Sequence, residues 1–400
     1  LTPNSLFMAK RYVIFLLIAV FALIALGITM LASTSFYTKD GGGDEYVTVW
    51  KQGIWVVIAL SCCVAAALID FQTWFKWRWW IYGVSIFGLV LCLEWYLAKW
   101  LGYPPLIGRY VGGAARWLGV GKSEMRVQPS EFAKIGLVIV LAGWFAQHEN
   151  LERTLKHGLL LPGLILGGIV ALIGVEVDLG NACVAAAVGG GIMFVAGTKL
   201  RYLAIIFASS MAALTVGIIL APNRFERVIA LFNLEKYKDG CGLQQWISWL
   251  AYGSGGLDGR GLGEGRMKLS YLPEAHTDFI FPMVGEEIGL HGTLGTVAAF
   301  VILLFSGMCI AAYAPNRFGK LLGFGLTSLL TLEALLNMGV TTALLPNKGL
   351  PLPFVSYGGS SLVAAMLAVG ILINLHRQGV HLTWDQLPVI RRKRRWTPQL

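Results

Sequence analysis

Charge is scarce in this chain. Asp, Glu, Lys and Arg make up 14% of its residues while 56% are hydrophobic, too little charge to cover the surface of a soluble fold, so that class is excluded. Cysteine is sparse as well. Cys62, Cys63, Cys92, Cys183 and Cys309 fall in apolar runs and Cys241 stands alone in a polar stretch, with neither metal-ligand spacing nor a disulfide framework. Despite 49 glycines the sequence has no GxxxxGK[ST], which removes the usual nucleotide phosphate loop. There is no visible internal repeat, which argues against a transporter built from inverted halves, and nothing points to nucleic acid as a partner.

What the chain has is long apolar runs. Windows of roughly 20 residues, the length that crosses a bilayer, recur at 12–33, 52–69, 79–98, 131–147, 158–175, 179–197, 202–221, 279–313, 321–345 and 357–375. The expected fold class is an all-α polytopic membrane protein of about ten transmembrane helices. The first run follows Lys10 and Arg11 as in a signal peptide, but it is too long and lacks a convincing cleavage site, so it reads as a retained span. Lys76, Arg78, Arg153, Lys156, Lys199, Arg201, Arg317, Lys320 and the Arg391–Arg395 cluster then mark one face as cytoplasmic, with both termini on it. The expectation is a single membrane domain over 1–400. It carries a large extracytoplasmic loop at 222–278 between spans 7 and 8 and a basic cytoplasmic tail at 377–400 held against anionic lipid heads. Within the loop, NRFERVIALF and CGLQQWISWLAY have the apolar spacing of interfacial helices.

Four patches are too polar or too glycine-rich for their positions. In 112–134, Pro129 suits the first turn of a helix on which Ser130, Glu131 and Lys134 share a face. Glu131 and Lys134 there are either an internal ion pair or, with Arg116, ligands for a phosphate. In 175–182, Asp178 is a ready helix cap. In 253–287 a glycine-rich turn carries Arg260, Arg266 and Lys268, either solvated surface charge or anion ligands. It is followed by Glu274, His276 and Asp278 within five residues and by Glu286 and Glu287 in apolar sequence. Carboxylates in hydrocarbon cost at least ~2.5–3.5 kcal/mol each, so these are site candidates by default. Asp278 is alternatively a helix cap, and Glu286 and Glu287 are expected to pair with a neighbouring span. In 344–361, Lys348 either marks the interface or binds, and Ser356, Tyr357 and Ser360 either cap the last span or touch substrate.

These elements resemble, in order along nearly the whole chain, the SEDS family (shape, elongation, division and sporulation) of bacterial cell-wall glycosyltransferases. The resemblance runs from GAxRW and QPSExxK at 113–134 through DLGxA at 178–182 and GSGGLxGxGLG at 253–263 to LPExHTDFIF and PxKGLPLPFxSYGGSS. EAHTDFIF and LLPNKGLPLPF are more similar to the division member than to the elongation member.

It implies polymerisation of lipid II onto a lipid-linked glycan strand, inverting the sugar and releasing undecaprenyl pyrophosphate. Asp278 would be the catalytic base, with Arg116, Lys134, Arg260, Lys268 and Lys348 around the diphosphate and a divalent ion, Mg or Mn, assisting there if any does. Glu274 would tune Asp278 and His276 relay protons. Trp117 would stack on a sugar or anchor the interface, and Gln128 would bind the donor or cap a helix. The implied partners are a class B penicillin-binding protein and other division proteins, in the bacterial plasma membrane at the septum. Glu176, Ile247 and Glu333 depart from the family's usual residues, and Ile247 and Glu333 are set aside as site residues. A lipid II flippase and a non-catalytic division scaffold are the competing readings.

Overall fold

In a computed structural model the described residues are 3–35, 47–103, 105, 107–111, 114–119, 126–219, 221–268 and 275–393. The chain is a helical bundle. Its elements are α1 (Pro3–Ser35), α2 (Val47–Leu68), α3 (Phe71–Leu101), a hairpin of β1 (Gly108–Val111) and β2 (Ala114–Leu118), α4 (Pro129–Gln147) and α5 (Leu161–Val175). They continue with α6 (Leu179–Val195), α7 (Leu200–Ile219), α8 (Pro222–Phe232), α9 (Leu243–Gly255), α10 (Ile280–Glu287), α11 (Gly289–Ala312), α12 (Arg317–Thr341) and α13 (Gly359–Lys393). Among the described residues, nine helices are long and apolar enough to cross a membrane.

Burial separates the centre from the rim. The apolar window of α4 is 83% buried and that of α7 only 6%, so α4 is the axial helix and α7 faces lipid along nearly its whole length. Pro129 opens α4 as the sequence predicts, because its missing N–H and fixed φ cost nothing at a first turn. Helix α6, with 17 residues, is shorter than the ~20 a span needs. It fits because α4, α5 and α12 pack around it and small residues allow close approach; a Cβ on Gly189 would run into Leu166.

Two expectations are corrected. The 279–313 run is two helices, broken where Gly289 takes φ 75°. The glycine-rich turn enters the break: Arg260 N–H donates to Glu286 O, Gly261 N–H to Glu287 O, and Leu290 N–H to Gly256 O. Hydropathy is blind to such a backbone insertion. Second, one of the two segments of 222–278 read as interfacial helices packs inside. Helix α8 is amphipathic and exposed, but α9 packs on α10 and α12 with Gln245, Ser248 and Ala251 buried. Gln245 Nε2 donates to Val340 O and Leu345 O, both at 2.8 Å, so a segment read as interfacial is part of the bundle. The basic tail expected at 377–400 continues α13 as helix to Lys393, beyond the apolar span Gly359–Gly379, and 394–400 lie outside the described residues.

Candidate active site

At one end of the bundle two irregular segments meet. Residues 275–279, just before α10, lie against the turn between α12 and α13. Tyr357 N–H donates to His276 O at 2.9 Å, and Ser356 Oγ donates to Thr277 O while accepting from Leu352 N–H at 2.8 Å. Asn337, buried in α12, donates from its one amide nitrogen to Asp278 O at 2.8 Å and to Leu350 O at 2.6 Å. The Asp278 carboxylate consequently lies directly on Gly349, where any Cβ would collide with it. Asp278 is half-buried and does not cap α10, whose N-cap is Phe279. The rings of His276 and Tyr357 are 5.8 Å apart and tilted, and Ser360 is buried in the first turn of α13. Ser356 joins two loops rather than capping a helix. Glu274 lies outside the described residues.

Next to Gly349, Lys348 turns the other way. Its Nζ is 3.4 Å from Asp178 Oδ1, and Arg116 Nη1 is 4.0 Å from Asp178 Oδ2. Asp178 caps α6 as expected and also accepts from Gln128 Nε2 at 3.0 Å and Asn181 Nδ2 at 2.8 Å. Gln128 does not cap α4 with its side chain. Burial alone would push the Asp178 carboxyl up, yet the neighbouring Lys348 and Arg116 charges hold it below the usual carboxylate range. For Lys348, burial lowers the ammonium and the Arg116 charge adds to this, with Asp178 only partly restoring it. The Nε of Arg116 is buried without a partner among the described residues. Trp117, beside it on β2, is half-buried opposite Arg109.

The network continues inward. Lys134 Nζ donates to Glu131 at 3.1 Å, to Asn181 Oδ1 at 2.6 Å and to Glu333. An ammonium has three N–H groups and all are taken. The structure thus pairs Lys134 internally, which is the ion-pair alternative the sequence allowed. Glu333, set aside from sequence, belongs to the same network. Ser130 is fully buried, its Oγ without a partner among the described residues.

Arg260 and Lys268 are not here. Lys268, read from sequence as an outer-loop cation, is buried against Glu287 Oε1 at 2.7 Å and also donates to Gly263 O and Ser33 Oγ. Arg260 lies 4.0 Å from Glu286. Glu286 accepts from Arg266 and Met267 N–H, and Glu287 from Gly263 N–H and Ser33 Oγ. The partners of this acidic pair are thus the glycine-rich turn and α1, not simply a neighbouring span, because the broken helix lets the loop backbone reach in.

Sequence reasoning missed Asn181, Asn337 and Gly349 and discounted Glu333. Asn337 and Glu333 had a usable signal, since a polar group within an apolar helix needs a partner; Gly349 had none beyond its loop. Among the described residues no cluster of His, Cys, Asp or Glu could hold a metal. The donors around Asp178 are guanidinium, ammonium and amide N–H, which suit an anion, so a protein-held Mg or Mn does not fit there.

The fold defines the class of polytopic helical membrane proteins, here with cations gathered around one carboxylate at the end of the bundle beside a second, half-buried carboxylate. The particular family is shown by sequence. Residues 14–381 match the model for the FtsW, RodA and SpoVE family, described as cell cycle proteins, and the chain belongs to that family. A relative from Geobacter metallireducens, "Probable peptidoglycan glycosyltransferase FtsW", is 37% identical over 368 residues, covering 92% of this chain and 95% of its own. A chain in the solved structure "Structural coordination of polymerization and crosslinking by a peptidoglycan synthase complex" superposes with TM-score 0.73 at 27% identity, covering 91% of this chain and 97% of that one. The crystal structure of the Thermus thermophilus rod shape determining protein RodA gives TM-score 0.65 at 26% identity over 91% of this chain and 96% of its own.

Proposed function

We propose that this chain is a peptidoglycan glycosyltransferase that polymerises lipid II for the division septum, working with a class B penicillin-binding protein in the plasma membrane. The observation that carries the reading is the turn Lys348–Gly349. It puts one residue's cation on the Asp178 cluster and the next residue's backbone against the Asp278 carboxylate. A base and an anion site are thereby fixed to one short piece of backbone.

The chemistry follows from that pairing. The 4-hydroxyl oxygen of the acceptor sugar bonds to the anomeric carbon of the lipid-linked strand. Its proton passes to Asp278, and the anomeric C–O bond to the diphosphate breaks with inversion. The electron pair leaves on a diphosphate oxygen, where Lys348 and Arg116 offset the growing charge. A lipid-borne substrate also needs a place for its chain. A groove of about 940 Å³ between α3 and α4, lined by Trp74, Trp77, Trp80, Phe132 and Leu367, ends at Pro129, next to Gln128 and hence to Asp178. Apolar walls of this kind hold a polyprenyl chain without specific contacts.

The test is polymerisation of purified lipid II by the wild type and by Asp278→Asn, alone and with the transpeptidase. The amide keeps the shape but cannot take a proton, so the rate is expected to fall by about 10²–10⁴-fold with an unchanged melting temperature. Near wild-type polymerisation by Asp278→Asn would remove the base from this scheme.

A further inference from the structure

Helix α8 is mounted differently from the spans around it. Phe225, Ile229 and Phe232, at i, i+4 and i+7, are exposed along one side, the stripe of a helix lying in a membrane surface. Its other side carries Arg224 and Arg227. Arg227 is exposed, yet its Nη1 donates to Asn347 O at 3.3 Å. That carbonyl is held in place, since the Asn347 side chain is buried and donates to Gln244 Oε1 at 2.9 Å and to Cys241 O. The residue after Asn347 is Lys348. Arg227 therefore stands beside the Asp178 cluster with one of its five N–H groups committed to the backbone and no carboxylate paired with it among the described residues. Its charge is felt by Lys348, whose ammonium it helps to lower after burial and Arg116.

Charge counting gives this position a purpose. Arg116 and Lys348 against Asp178 leave one net positive charge, whereas the diphosphate diester of a lipid-linked sugar carries two negative ones. Arg227 supplies the missing one. We propose that Arg227 is a third cation of the diphosphate site, delivered by the surface helix α8 rather than by the bundle; this rests on the reading of the site as one for a lipid-linked diphosphate. Arg227 touches the substrate in binding and is not the proton acceptor, so it acts on affinity more than on turnover.

The experiment compares wild type, Arg227→Gln, Arg227→Lys and, as a control on the same helix, Arg224→Gln. Each full-length protein is assayed for binding of inorganic pyrophosphate, for the KM and kcat of lipid II polymerisation, and for melting temperature. Loss of one charge-assisted contact in Arg227→Gln should weaken pyrophosphate binding and raise KM by about tenfold. The expected change in kcat is smaller, the melting temperature should not move, and Arg227→Lys should recover most of the affinity. Unchanged pyrophosphate affinity and KM in Arg227→Gln would overturn the assignment, as would an equal loss in Arg224→Gln, which would point to helix packing instead of charge beside Asn347. If pyrophosphate binding depends on Arg227 but the wild type does not polymerise lipid II, the polymerase reading falls while the anion site with its third cation stands.

Discussion

Two buried acidic networks sit in this bundle, and they differ in what is left over. Around Glu286 and Glu287 every carboxylate oxygen has a partner, and the Lys268 ammonium is enclosed with them. Around Asp178 the partners are partly open: the Lys348 and Arg116 side chains keep 27% and 24% of their exposure, and Arg116 Nε has no partner among the described residues. The first is closed and holds the glycine-rich turn in the break between α10 and α11, whereas the second keeps two partly exposed cations, which suits the anion site proposed there. Burial of charge alone does not mark a site; unspent hydrogen-bonding capacity facing a space does.

The largest effect that would break this contrast is in the closed network. Glu287→Ala strands a buried ammonium and releases the glycine-rich turn, so a loss of about 3–5 kcal/mol is expected, read as a collapse of melting temperature in the purified protein. A stable Glu287→Ala protein would erase the distinction. Next comes the open network: Lys348→Met should stay folded, since Asp178 keeps Gln128, Asn181 and Arg116. Lipid II polymerisation should nevertheless drop by about 10²–10³-fold, the usual cost of removing a donor aimed at developing charge. If stability falls and activity per folded molecule does not, Lys348 belongs with Lys268.

A third test uses Glu176, at the edge of the open network. It is fully buried with only the Cys92 thiol as a weak partner, and burial, then the charge of Asp178, pushes its carboxyl up to about 8. The folded protein thus holds a proton that the unfolded chain releases near the ordinary carboxyl value of 4.5. The stabilisation is complete below that value and is lost as pH rises through about 8. Wild type should lose stability from this group as pH rises from mildly acidic to about 8, and Glu176→Gln should flatten the melting-temperature profile over that window. A profile of equal slope in both proteins would show that Glu176 is ionised or solvated.

The smallest effect is expected at Glu333→Gln. Lys134 keeps Glu131 and Asn181, and the amide oxygen can still accept its third N–H. Stability should change by less than about 1 kcal/mol and polymerisation should hold. A severe defect would make Glu333 a working part of the site.

Membrane character, the positions of most spans and the segments that form the site were legible in the sequence, because apolar length and polar intrusion are local properties of a chain. Asp178 could be named as a cap, and Lys348 and Asp278 as candidate site residues, from their neighbours alone. Which cations face the site could not. Lys268 and Arg260 look like Lys348 in sequence, being basic residues in glycine-rich or proline-rich turns, yet the first two went to Glu287 and Glu286. The choice depends on which carboxylate lies within reach after folding. The break at Gly289 was equally hidden: Ile288 and Gly289 sit inside an apolar run, and only backbone donors arriving from residues 260 and 261 end the helix there.

The sequence by itself determined that this chain crosses a membrane many times, which family it resembles and which acidic segment is the candidate for the chemistry, because apolar length, motif order and the cost of charge in hydrocarbon are all readable along the chain. Only the tertiary structure decided that Lys134 is saturated, that Glu287 claims Lys268, that Gly349 seats Asp278, and that Arg227 comes to stand beside Lys348. Each of those is a pairing between residues far apart along the chain. Hydrogen bonds and ion pairs act over a few ångströms, so such pairings exist only once the helices have packed.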